Sequence, residues 1–110
     1  MKVHLIKQQT IIEFATKHAS SKSAFDNWLT LVKNADWNKP VDIQNTFSTA
    51  DLIGNGSERV VFNLGGNNFR LICKYFFGRK EIHLFICWVG SHSQYDKLCK
   101  ENKQYTISVY

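Results

Sequence analysis

The sequence predicts an α+β fold. It comprises a small antiparallel β-sheet, a meander of three to four strands, covered on one face by two N-terminal helices and followed by a short C-terminal helix. Three observations carry this. Between Arg59 and Val89, apolar runs are separated by Gly65-Gly66-Asn67 and by Phe77-Gly78-Arg79-Lys80, and connections that short join only antiparallel neighbours. Upstream, residues 8–18 and 24–35 place apolar side chains at helical spacing. Helices gathered on one face of an antiparallel sheet are the α+β arrangement.

Residues 3–6 form a short apolar run suited to an edge strand. In 8–18, Ile11, Ile12, Phe14, Ala15 and His18 recur at helical spacing, and Thr10 with Glu13 reads as a capping box. A serine of Ser20-Ser21-Lys22-Ser23 is expected to cap the next helix. There Phe25, Trp28, Leu29 and Val32 form one apolar stripe, expected to cover the sheet. Burial of Trp28 or Phe25 should contribute about 2–3 kcal/mol each. The helix stops before Lys39-Pro40, because the residue preceding a proline avoids helical angles. Residues 41–47 suit a single helical turn. Asp51-Leu52-Ile53-Gly54-Asn55-Gly56 reads as a connector, since it lacks the downstream Lys-Ser/Thr and preceding strand of a phosphate-binding loop. Strands are expected at Arg59–Leu64, 68–76 and 81–89. Residues 94–102 suit a short helix capped by Ser91 or Ser93, and 104–110 either pairs as a strand or frays.

With 110 residues, 44% of them hydrophobic, the chain is expected to fold as a single domain spanning 1–110. No apolar run approaches the roughly 18 residues of a membrane span, and the opening Met1-Lys2-Val3-His4 lacks a secretory pattern, so no membrane role and a cytoplasmic location are expected. The cysteines, Cys73, Cys87 and Cys99, include no C-x-x-C pair, and the histidines show no ligand spacing with them. Structural thiols, no metal and no cofactor are the expectation. Net charge is +5, which suits a polyanionic partner or serves solubility alone.

Alternation along the second strand puts Arg70, Ile72, Lys74 and Phe76 on one face and Phe69, Leu71, Cys73 and Tyr75 on the other. The second set is more apolar and is expected to face the core. Arg70 and Lys74 then form a cationic, solvated floor, with His92, Tyr95 and Asp96 just past the end of the adjacent strand. Each residue also has a plain structural reading: a surface ion pair for the cations, a turn residue for His92, a half-buried anchor for Tyr95, a cap for Asp96. Together they suit phosphodiester chemistry. RNA cleavage needs a base for the 2′-hydroxyl proton, an acid for the leaving 5′-oxygen and cations for the phosphorane charge. His92 or Asp96 fits the base, Tyr95 or His92 the acid, and Arg70 with Lys74 the cations.

The segments Arg59-Val-Val-Phe-Asn63, Gly66-Asn67-x-Phe69-Arg70-Leu71-Ile72 and Val89-Gly90-Ser91-His92-x-x-Tyr95-Asp96 resemble the HigB-type toxins of bacterial toxin–antitoxin modules. The resemblance covers nearly the whole chain, most strongly 51–98, and includes Ala35-Asp36-Trp37. It implies a compact RelE-like mRNA interferase that cleaves message on the ribosome without metal. It also implies a HigA-like helix-turn-helix antitoxin, with DNA reached only through that partner. Carried over by position, Arg70, His92, Tyr95 and Asp96 are the catalytic candidates, and Arg59, Asn67, Lys74, Arg79 and Lys97 the RNA-binding ones. The third strand carries Cys87 where relatives often place a basic residue, with Lys74 or Arg79 available to substitute. Two other readings stay open: a non-catalytic RNA- or ribosome-binding inhibitor of translation, and an inactive partner that only binds its antitoxin. An acidic antitoxin is expected to cover part of the basic sheet face or its rim.

Overall fold

A computed structural model describes residues 1–54 and 56–110, so Asn55 of the glycine-rich stretch lies outside the described residues. The elements run β1 (Lys2–Ile6), α1 (Gln8–Lys17), α2 (Lys22–Lys33), α3 (Val41–Thr46), β2 (Asp51–Ile53), β3 (Arg59–Leu64), β4 (Phe69–Phe77), β5 (Glu81–Ser91) and α4 (His92–Lys100). Single 3₁₀ turns follow α1 and α4. Among the described residues no helix is long and apolar enough to cross a membrane.

The expected β3–β4–β5 meander forms the centre of a five-stranded sheet ordered β1-β5-β4-β3-β2. Two strands extend it. β1 adds to β5 in parallel, pairing Lys2 with Glu81 through Ile6 with Phe85. At the other edge Asp51–Ile53, expected as part of a connector, is a strand that pairs antiparallel with β3. Its middle residue Leu52 packs on the core, which gives these three residues a reason to be extended.

The stripe of α2 behaves as its spacing predicts. Phe25, Trp28 and Val32 are buried against the first sheet face, with Trp28 edge-on to Phe62 at 5.2 Å between centroids. Leu71, Cys73, Ile82, Leu84 and Ile86 supply the sheet side of this core. α1 starts differently from expectation. Lys7 takes a left-handed conformation at φ 70°, no side chain caps the helix, and Thr10 falls inside it.

The second sheet face is not the open floor that strand alternation suggests. α4 and the C-terminal segment roof one half of it, making a smaller core of Val61, Ile72 and Cys87 under Trp88, Tyr95, Leu98 and Ile107. A bulge helps. Ile72 opposes Trp88 but Cys73 opposes Ile86, so Cys87 is the extra residue. Cys87 and Trp88 therefore both join the second core, while Ile86 and Val89 face the first. The residues after α4 are tied down rather than frayed. The Val109 N–H donates to the Cys87 carbonyl at 3.0 Å, and Gln104 is buried.

Candidate functional site

The site assembles where two chain reversals meet at one end of the sheet. In the β3–β4 turn, Gly65, Gly66 and Asn67 all have positive φ, the last at 86°. Asparagine tolerates this better than most residues because its short side chain bonds locally. Here it accepts from Arg70: Nη2 donates to the Asn67 Oδ1 at 2.8 Å, while Nη1 donates to the carbonyls of Asn67 and Phe69 at 3.1 and 3.0 Å. Arg70 is only 7% exposed. The expectation of a solvated guanidinium is thus corrected: α4 covers it and backbone carbonyls hold it. A guanidinium has five N–H donors, so Nε–H and one Nη2 hydrogen remain for another acceptor.

The second reversal is the passage from β5 into α4. Ser91 caps α4 in a full capping box, its Oγ accepting from the Gln94 N–H at 3.2 Å while its own N–H donates to the Gln94 Oε1 at 2.9 Å. The His92 N–H then donates to the Asn68 carbonyl at 3.0 Å. That bond fixes the first residue of α4 to the turn that holds Arg70. One helical turn on, the Asp96 Oδ2 lies 2.9 Å from the His92 Nδ1, an i,i+4 pair with both side chains partly open to solvent. The contact occupies Nδ1. Among the described residues Nε2 has no partner.

Tyr95 sits between these parts. The Arg70 Cζ lies 6.0 Å from the centre of its ring, and the Trp88 ring is 6.3 Å away. Burial pushes the Tyr95 hydroxyl well above its usual pKa, the Cys99 thiol and the Asp51 carboxylate add to this, and Arg70 opposes it. The hydroxyl therefore keeps its proton across the physiological range. Asp51 is a contributor that the sequence did not advertise, because its strand read as a loop. It pairs with Val61, whose side chain lies in the second core. Gly90, opposite Arg70, is equally constrained: a Cβ there would stand 2.5 Å from the Trp88 ring and 2.6 Å from the Gln94 Oε1.

The structure thus brings Asn67, Arg70, His92, Tyr95 and Asp96 together and sets the other candidates apart. Lys97 is exposed on α4, in a shallow depression lined also by Trp88, Gln94 and Lys103. Lys74 is exposed on β4, four residues from Arg70 and so about 13 Å along the strand. Arg79 is exposed in the β4–β5 turn at the opposite end of the sheet, roughly 30 Å along the strand from Arg70. Arg59 is 6% exposed, and its Nη1 donates to the carbonyls of Gln104 and Ile107 at 3.2 and 2.6 Å. It fastens the C-terminal segment. Cys87 is buried beneath that segment at the bulge, where it packs with Val61 and Ile72 in the second core. Among the described residues no group of three or more His, Cys, Asp or Glu side chains is placed to hold a metal ion.

Residues 21–98 match the model of a family described as HigB toxin, the RelE-like toxic component of a toxin–antitoxin system. The chain is 28% identical over 105 residues to the mRNA interferase HigB of Escherichia coli O6:H1 (strain CFT073), covering 93% of this chain and all of that protein. It is 27% identical over 94 residues to the mRNA interferase toxin HigB of Escherichia coli K12, covering 86% of this chain and 88% of the relative. The mRNA interferase HigB of Shigella flexneri gives the same figures. With the family model spanning both the covering helix and the whole site, this chain belongs to the HigB family of RelE-like toxins.

Proposed function

We propose that this chain is an endoribonuclease that cleaves mRNA by general acid–base attack of the 2′-hydroxyl on the adjoining phosphodiester. The observation that carries the reading is the His92–Asp96 pair pinned beside the Arg70–Tyr95 pair. His92 Nε2 takes the 2′-hydroxyl proton, with Asp96 orienting the ring and stabilising the imidazolium. The 2′-oxygen bonds to phosphorus, the P–O5′ bond breaks, and Tyr95 delivers its proton to the departing 5′-oxygen. The products are a 2′,3′-cyclic phosphate and a 5′-hydroxyl. Arg70 directs its two remaining N–H groups at the phosphorane oxygens, where fixed donors act most strongly. Tyr95 qualifies as the acid by its place, with its ring 6.0 Å from the Arg70 Cζ, and it carries its proton when the reaction begins. No step requires a metal ion.

The relatives named mRNA interferase support the choice of message as substrate. The family description supports a cognate antitoxin as partner. We place the reaction in the cytoplasm on translating ribosomes, held in check by a HigA-like helix-turn-helix antitoxin that alone contacts DNA. The test is to map 5′ ends of cellular mRNA after brief induction. New ends within reading frames, absent with Arg70→Ala or His92→Gln, are expected. Growth arrest with intact message would overturn the cleavage reading in favour of a translation-blocking binder.

A further inference from the structure

The half of the second sheet face that α4 leaves open carries a continuous set of aromatic rings. Phe76 and His83 are cross-strand partners with centroids 6.2 Å apart. His83 stacks on Phe85 at 6.3 Å and 22° between planes, and meets His4 edge-on at 5.7 Å. The rings lie on β4, β5 and β1, so they ride on paired strands rather than on loops. Phe76 is 56% exposed and Phe85 36%. Large apolar rings left in the open together mark a contact surface more often than a packing accident.

The charges around the rings indicate the contact. Lys74 is the cross-strand neighbour of Phe85, and Lys2 that of Glu81. Lys7 lines the same groove as Phe76 and Phe85. Arg79 and Lys80 occupy the adjoining β4–β5 turn. Against these cations stand Glu58 and Glu81. Rigid aromatic faces among fixed positive charges are the elements of a single-stranded nucleic-acid platform, where bases stack on rings and phosphates meet cations. A purely apolar partner would leave the lysines desolvated and unpaired.

We infer that the open aromatic face formed by His4, Phe76, His83 and Phe85 is a second RNA subsite that stacks bases of the message away from the cleavage centre. The inference rests on the RNA-directed reading above, but not on the chemistry assigned to His92. Phe76 lies six residues along β4 from Arg70, about 20 Å, so about six nucleotides at a stacked rise of ~3.4 Å separate platform from cut. The platform therefore acts on binding and leaves the chemical step alone.

The test uses the full-length His92→Gln chain, to prevent cleavage, and a fluorescently labelled single-stranded 12-mer RNA followed by anisotropy at fixed salt. Adding Phe76→Ala with Phe85→Ala should weaken binding about tenfold to a hundredfold, and Phe76→Trp with Phe85→Trp should restore it, because stacking needs a ring and not a particular one. In the cleaving parent, the alanine pair should raise KM and leave kcat within about twofold. Both sites are partly open to solvent, and thermal melting of each variant separates lost binding from lost fold. Unchanged RNA affinity in a folded alanine pair overturns the inference, whether or not the parent cleaves. So does loss of antitoxin binding or of self-association with RNA affinity intact, since the face would then be a protein interface. If the parent proves inactive as a nuclease but RNA binding depends on Phe76 and Phe85, the subsite stands and only the cleavage reading falls.

Discussion

Gly90→Ala tests whether the candidate site depends on a close approach between strand and helix. A methyl group at this position would lie 2.5 Å from the Trp88 Cζ2, 2.6 Å from its Cη2 and 2.6 Å from the Gln94 Oε1. Contacts that short force a movement. The indole is confined by Tyr95 and the second core, so the Gln94 side chain yields more readily. Its displacement breaks the half of the capping box that accepts the Ser91 N–H. Overpacking costs about 1–3 kcal/mol and a lost cap about 1 kcal/mol, giving ~2–4 kcal/mol in all. At about 4 °C per kcal/mol for a domain of this size, the midpoint of thermal unfolding should fall by ~8–16 °C. Because α4 carries His92, Tyr95 and Asp96, RNA cleavage should fall more than about tenfold even where the protein remains folded. Differential scanning calorimetry and single-turnover cleavage read the two effects. Gly54→Ala, whose methyl group would meet open space, serves as the control and should change stability by less than about 0.5 kcal/mol. A Gly90→Ala protein as stable and active as that control would refute the reasoning.

Other outcomes follow from the same geometry. Arg59→Ala removes two charge-assisted bonds to the carbonyls of Gln104 and Ile107, so urea denaturation should show a loss of ~2–4 kcal/mol, and residues beyond 104 should become open to protease. Asp96→Asn should leave stability within about 0.5 kcal/mol, because an exposed i,i+4 pair contributes little, yet slow single-turnover cleavage about 10- to 100-fold. The raised Tyr95 pKa means the folded protein holds this proton more tightly than the unfolded chain, so its contribution to stability is whole below pH 10 and declines as pH rises above that value. Alkaline unfolding of Tyr95→Phe should accordingly be less steep above pH 10, with an equal slope refuting the shift. Cleavage of ribosome-free RNA by the purified protein should proceed at the same rate with and without excess EDTA, and a rate lost to EDTA in this ribosome-free assay would bring a metal into the mechanism.

The β3–β4–β5 hairpins were legible because their evidence is local: alternating apolar residues and turns rich in glycine and asparagine. The α2 stripe was legible for the same reason. What escaped notice depended on distant partners. Nothing in Lys2–Ile6 says that it will lie parallel to β5, and Asp51–Ile53 is too short for its alternation to register. The bulge that adds Cys87 is visible only once Ile72 and Trp88 are seen opposite each other. At the site, His92, Tyr95 and Asp96 were readable as neighbours because they lie within five residues past the end of β5. The helix was expected only from residue 94, so the one-turn His92–Asp96 pairing emerged only with α4 starting at His92. The surroundings of Arg59 and Arg70 were not. A charged residue in a strand reads as solvent-exposed unless the carbonyls that enclose it are known, and those belong to Gln104, Ile107 and the β3–β4 turn.

The parallel pairing of β1 with β5 sets an order of events in folding. The three central strands meet through tight turns and can zip together early, whereas the N-terminal strand must wait for residues beyond 80 before its neighbour exists. Until that docking occurs, β5 presents a bare row of backbone donors and acceptors, the kind of edge through which chains aggregate. Weakening β1 should therefore be felt first as poor recovery of intact protein during expression, while the molecules that do complete the sheet turn over substrate normally.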